Sequence, residues 1–184
     1  MRIALAASAL ALTLATAGLI SCTGPEGPPL PPGPAPSGTP VFASDEEALA
    51  AAEGAYQRYL DVTNAVGAGG WKDTSPLEDV ERGDALADEL ATAESYREAG
   101  YRQVGETTFD SLLLQRFQAP EPGAILITVY LCLDVTNVDL LDEHGDSVVG
   151  PDRPDRQGVE VDIDDVDGSL KLTRSEPWSG ASFC

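Results

Sequence analysis

The sequence is short of the residues on which most chemistry depends. It has a single histidine, His144, in 184 residues, so catalysis by a serine, histidine and carboxylate would have to run through that one ring. His144 sits between Glu143 and Gly145 in a segment that reads as an exposed turn, where nothing orients an imidazole. No Gly-x-Ser-x-Gly elbow and no phosphate-cradling glycine loop are present. There are three cysteines and no Cys-x-x-Cys, which argues against a redox pair or a zinc knuckle. Basic residues are also scarce: 11 Lys and Arg stand against 31 Asp and Glu, for a formal net charge of −20. Such a field repels phosphate backbones and anionic lipid headgroups, so neither nucleic acid nor a membrane surface is an expected direct partner of the folded part. No catalytic set, no metal site and no cofactor are expected, and the chain reads as a non-enzyme.

Against those absences stands one long apolar run. Met1-Arg2 opens the chain and residues 3–20, IALAASALALTLATAGLI, are apolar or small throughout. The run ends in Leu19-Ile20-Ser21-Cys22, which resembles the lipobox of bacterial lipoproteins. The resemblance implies diacylglycerol in thioether linkage on Cys22 and cleavage just before it, so that residues 1–21 are a signal peptide. Two acyl chains on one residue hold a protein stably at a membrane. The expected location is thus the extracytoplasmic face of the cell membrane, with the membrane engaged through the lipid on Cys22. Residues 22–43 form the tether: in 23–40, TGPEGPPLPPGPAPSGTP, eight of 18 residues are Pro and four are Gly. This composition cannot bury a core and spans roughly 55 Å if extended.

Residues 44–184 read as one domain, and 42% apolar content in the whole chain is enough for a core. Ser44-Asp-Glu-Glu47 has the form of a capping box, and apolar residues follow at helical spacing until Gly67-Ala-Gly-Gly70. Ser75-Pro-Leu-Glu78 has the same form, with Pro76 at the first helical position. That helix is expected to break near Gly83, and another to run from about Asp84 to Gly100. Strands follow. Residues 101–108 and 111–118 read as one long or broken strand, and 124–133, AILITVYLCL, as a buried central one. Residues 137–142 and 146–149 flank the His144 turn, and 151–158 read as loop. Val159, Val161 and Ile163, then Leu170 and Leu172, alternate with polar residues around Asp165-Val-Asp-Gly168, a hairpin turn. The same stretch fails as a calcium loop, because with Gly168 sixth the first and twelfth positions are Ile163 and Arg174.

Helices first and an antiparallel meander after give an α+β class, with helices packed on a curved sheet of four to six strands. This layout resembles the cone of the nuclear transport factor 2-like superfamily. The whole chain resembles uncharacterised actinobacterial lipoproteins of similar size. The shared features are the lipobox, the Pro/Gly tether, Tyr101-Arg-Gln-Val-Gly105, Tyr130-Leu-Cys-Leu-Asp134, Asp152-Arg-Pro-Asp-Arg156 and the ending Glu176-Pro-Trp-Ser-Gly-Ala-Ser-Phe-Cys184. The resemblance implies a pocket inside the cone, which Tyr56, Tyr59, Trp71, Tyr96 and Tyr130 could line; in cone enzymes a carboxylate or histidine joins such a tyrosine. The same aromatic residues serve equally as core. Cys132 and Cys184 are the even pair left once Cys22 carries lipid, and in an exported domain they read as a disulfide. The function expected is a membrane-anchored binding or interaction module of unknown ligand, with a cone-fold pocket enzyme or small-molecule carrier as the alternative.

Overall fold

Helix α1, Asp45–Ala68, starts where Ser44 is held extended and its hydroxyl accepts a hydrogen bond from the Glu47 amide at 3.3 Å. The Glu47 carboxylate reaches back one residue further than expected and accepts from the Ala43 amide at 2.6 Å. The first contact satisfies an amide that the first turn leaves without a helical partner, and the second ties down the chain just before the cap. Ala48, Ala52, Ala55, Tyr56 and Leu60 then fall on one buried stripe. Alanine over the first turns lets the helix approach its neighbours closely, whereas Tyr56 and Leu60 fill the space further along. The computed structural model describes residues 42–119, 124–165, 168–181 and 183–184. All of them fall within one compact unit, Gly38–Cys184. Residues 1–41, with Cys22 and most of the tether, lie outside the described residues, and so does the centre of the 165–168 turn.

The second capping box does not form. Residues Ser75–Asp79 make only a five-residue 3-10 turn, and its cap residue Thr74 contributes no side-chain hydrogen bond. The Ser75 amide and hydroxyl both donate to Asp73 Oδ1, at 3.1 and 2.7 Å, so the presumed capping hydroxyl is already engaged. The chain next pairs with the sheet: Leu172 N donates to Val80 O and Arg82 N to Leu172 O, each at 2.9 Å. Helix α2, Gly83–Glu98, begins only after that pairing.

Six strands follow: β1 Arg102–Val104, β2 Thr108–Gln118, β3 Ile125–Asp134, β4 Asp139–Leu141, β5 Arg156–Asp165 and β6 Leu170–Pro177. The segment read as one broken strand is two strands of different sheets. β1 pairs with β4 in a two-stranded sheet, whereas β2 joins a four-stranded sheet in the order β2-β3-β5-β6. Every strand pair is antiparallel, and the class is α+β with an open sheet. β5 starts at Arg156, inside the segment read as loop, because Asp134↔Arg156 and Cys132↔Gly158 extend the β3 ladder there. β2 has no strand on its far side among the described residues, and its ladder is broken twice, between Asp110 and Leu113 and between Leu114 and Arg116. Ser111, at φ 56°, sits in the first of these breaks.

Alternation along the strands separates two faces. Ile125, Ile127, Val129 and Leu131 of β3, Val159, Val161 and Ile163 of β5, and Leu172 of β6 pack with the α1 stripe in the main core. A second cluster joins Val66, Trp71, Leu77 and Ala93, with Tyr96, Tyr101 and Leu140 against it. The opposite face of the sheet is ionic. Arg174 Nε binds Asp162 at 2.9 Å and its guanidinium also reaches Glu160 and Glu176. Arg156 bridges Asp110 and Asp134. The C-terminal segment lies on this face, where Trp178 and Phe183 meet Tyr130. Cys132 and Cys184 are at disulfide distance, with Cα atoms 5.5 Å apart across 52 residues of chain. For a loop of that length the chain-entropy account gives about 4 kcal/mol.

Gly105 has φ 77°, and a Cβ there would sit 1.8 Å from the Asn137 carbonyl oxygen. Gly100 has a similar φ, 72°, but nothing within 4 Å of the same position. Gly105→Ala is therefore expected to cost roughly 3 kcal/mol or more, and Gly100→Ala only the conformational strain of about 1 kcal/mol. Chemical denaturation of both variants measures the difference; equal losses would contradict the close approach.

Candidate functional site

α1, α2 and the sheet leave a cavity of about 330 Å³ between them. Its walls include Tyr59, Thr63 and Asn64 of α1, Trp71 from the following turn, Glu89, Thr92 and Tyr96 of α2, and Gln103, Thr107 and Leu133 from the strand side. Of the aromatic residues expected to line a pocket, the structure brings Tyr59, Trp71 and Tyr96 together here. Trp71 and Tyr96 meet edge to face with centroids 4.8 Å apart. Tyr56 is a different case: it is 1% exposed and packs under the site against Tyr59 and Phe109. Tyr130 is a correction. It lies on the other face of β3, its ring tilted against Trp178 with centroids 4.5 Å apart, because an even position on this strand points away from the helices. His144 stands in an exposed turn with Nε2 3.5 Å from the Glu143 carboxylate, away from this cavity.

The polar wall is largely self-satisfied. Asn64 Nδ2 donates to Thr107 O at 3.0 Å, and Asn64 Oδ1 accepts from Gln103 Nε2 at 2.8 Å and Thr107 N at 2.9 Å. The Thr63 hydroxyl donates to the Tyr59 and Leu60 carbonyls, at 3.1 and 3.3 Å. The Asn64 bonds pin α1 to β1 and to the segment that follows it.

Two carboxyl groups remain. Glu81 is 3% exposed, buried by the pairing of its neighbours with Leu172, and its Oε2 has no hydrogen-bond partner. Burial, and then the charge of nearby Glu89, push its pKa up to about 8 from the ordinary 4.5. Burial likewise raises Glu89, which is half-buried in the cavity wall. Tyr56 and Tyr59 are both driven upward, first by burial; Glu81 is the next cause for Tyr56, and Glu89 for Tyr59. Two acids and two phenols thus share one poorly hydrated region, and ionising any one of them opposes ionising the others.

Neither glutamate was singled out in the sequence, although Glu89 carries a signal. It lies three residues after Leu86 and four before Ala93, on the apolar stripe of α2, where a carboxylate is out of place. Glu81 has no such pattern, because its burial comes from the pairing at Leu172. Among the described residues there is no cluster of metal-ligating side chains, and no helix is long and apolar enough to cross a membrane.

The sign of the pH dependence follows from Glu81. Between its ordinary value and about 8 the native state keeps a proton that the unfolded chain has lost. Stability must therefore fall as pH rises through that window, by up to about 1.4 kcal/mol per unit. Glu81→Gln, neutral and nearly isosteric, is expected to flatten the curve, matching wild type near pH 5 and exceeding it by about 2 kcal/mol or more at pH 8. Urea denaturation across that range measures this, and parallel curves for the two proteins would exclude a buried neutral Glu81.

No protein-family model and no curated protein sequence matches the chain. Among solved structures, it is similar to the intermembrane space region of the chloroplast protein ARC6, at 13% identity and TM-score 0.50, over 70% of this chain and 95% of that one. It also aligns with Aln2 from a Streptomyces species, at 17% identity and TM-score 0.40, over 74% and 92% of the two chains. The likeness to the ARC6 region is one of fold, and it places the domain among α+β structures of this size.

Proposed function

We propose that this protein is a lipid-anchored extracytoplasmic binding module that seats a small molecule between its helices and its sheet. The observation that carries the reading is the cavity of about 330 Å³ walled by Tyr59, Trp71 and Tyr96. Its volume is at the lower end of the range in which small-molecule sites fall, and aromatic walls with a few placed polar groups are what such sites use. The cone resemblance supports the same place, since a nuclear transport factor 2-like domain holds its ligand between helix and sheet. The lipobox at Leu19–Cys22 and the Pro/Gly tether behind it support the anchor. A pocket enzyme is the second reading, and the observation favouring it is Glu81, a carboxyl held neutral near pH 7 close to two phenols. Glu81 lies behind the cavity wall, so binding without turnover is the reading preferred.

Trp71 reports the site if Trp178, the other tryptophan, is replaced by Phe. A fragment panel titrated against Trp178→Phe is expected to give saturable changes in Trp71 emission, and adding Thr92→Phe, which fills the cavity without a second indole, is expected to abolish them. A panel without one saturable response would end the binding reading. The anchor has a separate test. Cys22→Ala is expected to leave the chain without lipid and free of the membrane fraction; mass spectrometry finding no diacylglycerol on the native protein, or retention of the variant, would refute it.

A further inference from the structure

The cavity's unmet needs narrow what can occupy it. Asn64 and Gln103 direct their hydrogen bonds to each other and to backbone near Thr107 and Gly105, and Thr63 directs its own to α1 carbonyls. The charged group in the wall is the Glu89 carboxyl, for which no hydrogen bond or ion pair is formed among the described residues. Behind it the Glu81 Oε2 is also without a partner. When ionised, the Glu89 carboxylate has acceptor capacity that no described protein group takes up. Around Glu89 stand three aromatic side chains, Tyr59, Trp71 and Tyr96, whose faces carry negative quadrupoles.

Resting on the reading of this cavity as a binding site, we propose that its ligand is an organic ammonium ion whose positive nitrogen sits between the aromatic side chains and the Glu89 carboxylate. Three classes of ligand compete. A neutral aromatic molecule would pack against the rings but leave a desolvated carboxyl without a partner, which is costly. An anion would meet Glu89 and a chain of net charge −20. A cation turns both into attractions, and the long-range field draws it toward the domain before contact. The cavity has room for a compact headgroup of the trimethylammonium kind together with a short substituent. Burial raises the pKa of the Glu89 carboxyl, and an adjacent cation would favour its ionised form, so binding is linked to proton release. Tyr59 of α1 and Glu81 from the preceding segment act on that carboxyl, Tyr96 of α2 shares its cavity wall, and no cation is among the described residues that line the cavity.

The test compares choline with its uncharged carbon analogue dimethylbutanol, of nearly the same shape. Both are titrated against the full lipidated chain in detergent carrying Trp178→Phe, with Trp71 emission as the readout. Choline is expected to saturate and to bind about tenfold or more tighter than the analogue, and Glu89→Gln to remove most of that advantage while leaving the analogue within about twofold. If the analogue binds as well as choline, the ammonium proposal falls and the binding site stands. If neither binds although the fragment panel yields ligands, the ammonium proposal again falls alone; if the panel is also silent, both fall. Should Glu89→Gln fail to fold, the choline-to-analogue ratio in the parent chain decides.

Discussion

Two backbone hydrogen bonds between Val80–Arg82 and Leu172 determine much of what makes this domain distinctive. They end the segment that Ser75-Pro-Leu-Glu78 would otherwise continue as helix, and they set the start of α2 at Gly83. They cover part of the outer edge of β6, which would otherwise be a free strand edge. They also take Glu81 out of water. Because a single residue on β6 supplies both the donor and the acceptor, the position of α2 is tied to the register of the last hairpin. Glu89 and Tyr96 ride on that helix, so the cavity depends on a contact some ninety residues away in sequence.

The sheet divides its labour by face. Its inner side is aliphatic and packs under α1, contributing the transfer energy that stabilises the fold, about 1.5–3 kcal/mol for each large side chain fully buried. Its outer side carries Arg156 and Arg174, each shared by two or three carboxylates. In a chain with so few cations this sharing matters: each guanidinium relieves repulsion among neighbours that would otherwise crowd one sign of charge. Arg156 is one of the influences holding Asp110 and Asp134 below the usual carboxylate range, together with hydrogen bonds from Ser111 and Thr136. The C-terminal segment closes over part of this face through Trp178, Phe183 and Cys184.

Much of the fold was legible in the sequence because local signals agreed with the tertiary outcome. Ser44 and Glu47 announce α1, Gly100 closes α2, and the β-branched run at 125–131 is an interior strand. The failures arise where a distant contact overrode a local one. Ser75 looked like a cap, but Asp73 captures its hydroxyl and Leu172 captures the chain beyond. Residues 101–118 looked like one strand, but the close approach of Gly105 to Asn137 turns the chain and sends β1 to a different partner. The site was half legible: Tyr59, Trp71 and Tyr96 meet, whereas Tyr130 belongs to the other face and Glu81 left no trace in its own neighbourhood.

The side of β2 that meets no strand among the described residues has a further consequence. An eleven-residue outer strand with regular pairing groups would be a template on which a second copy could lay its own strand. Here the spacing of those groups is interrupted at two points, and the left-handed Ser111 turns the backbone between them. An incoming strand would find only short, misaligned runs to pair with. Wherever copies of the chain meet at high local concentration, that irregularity works as a safeguard against stacking into fibres.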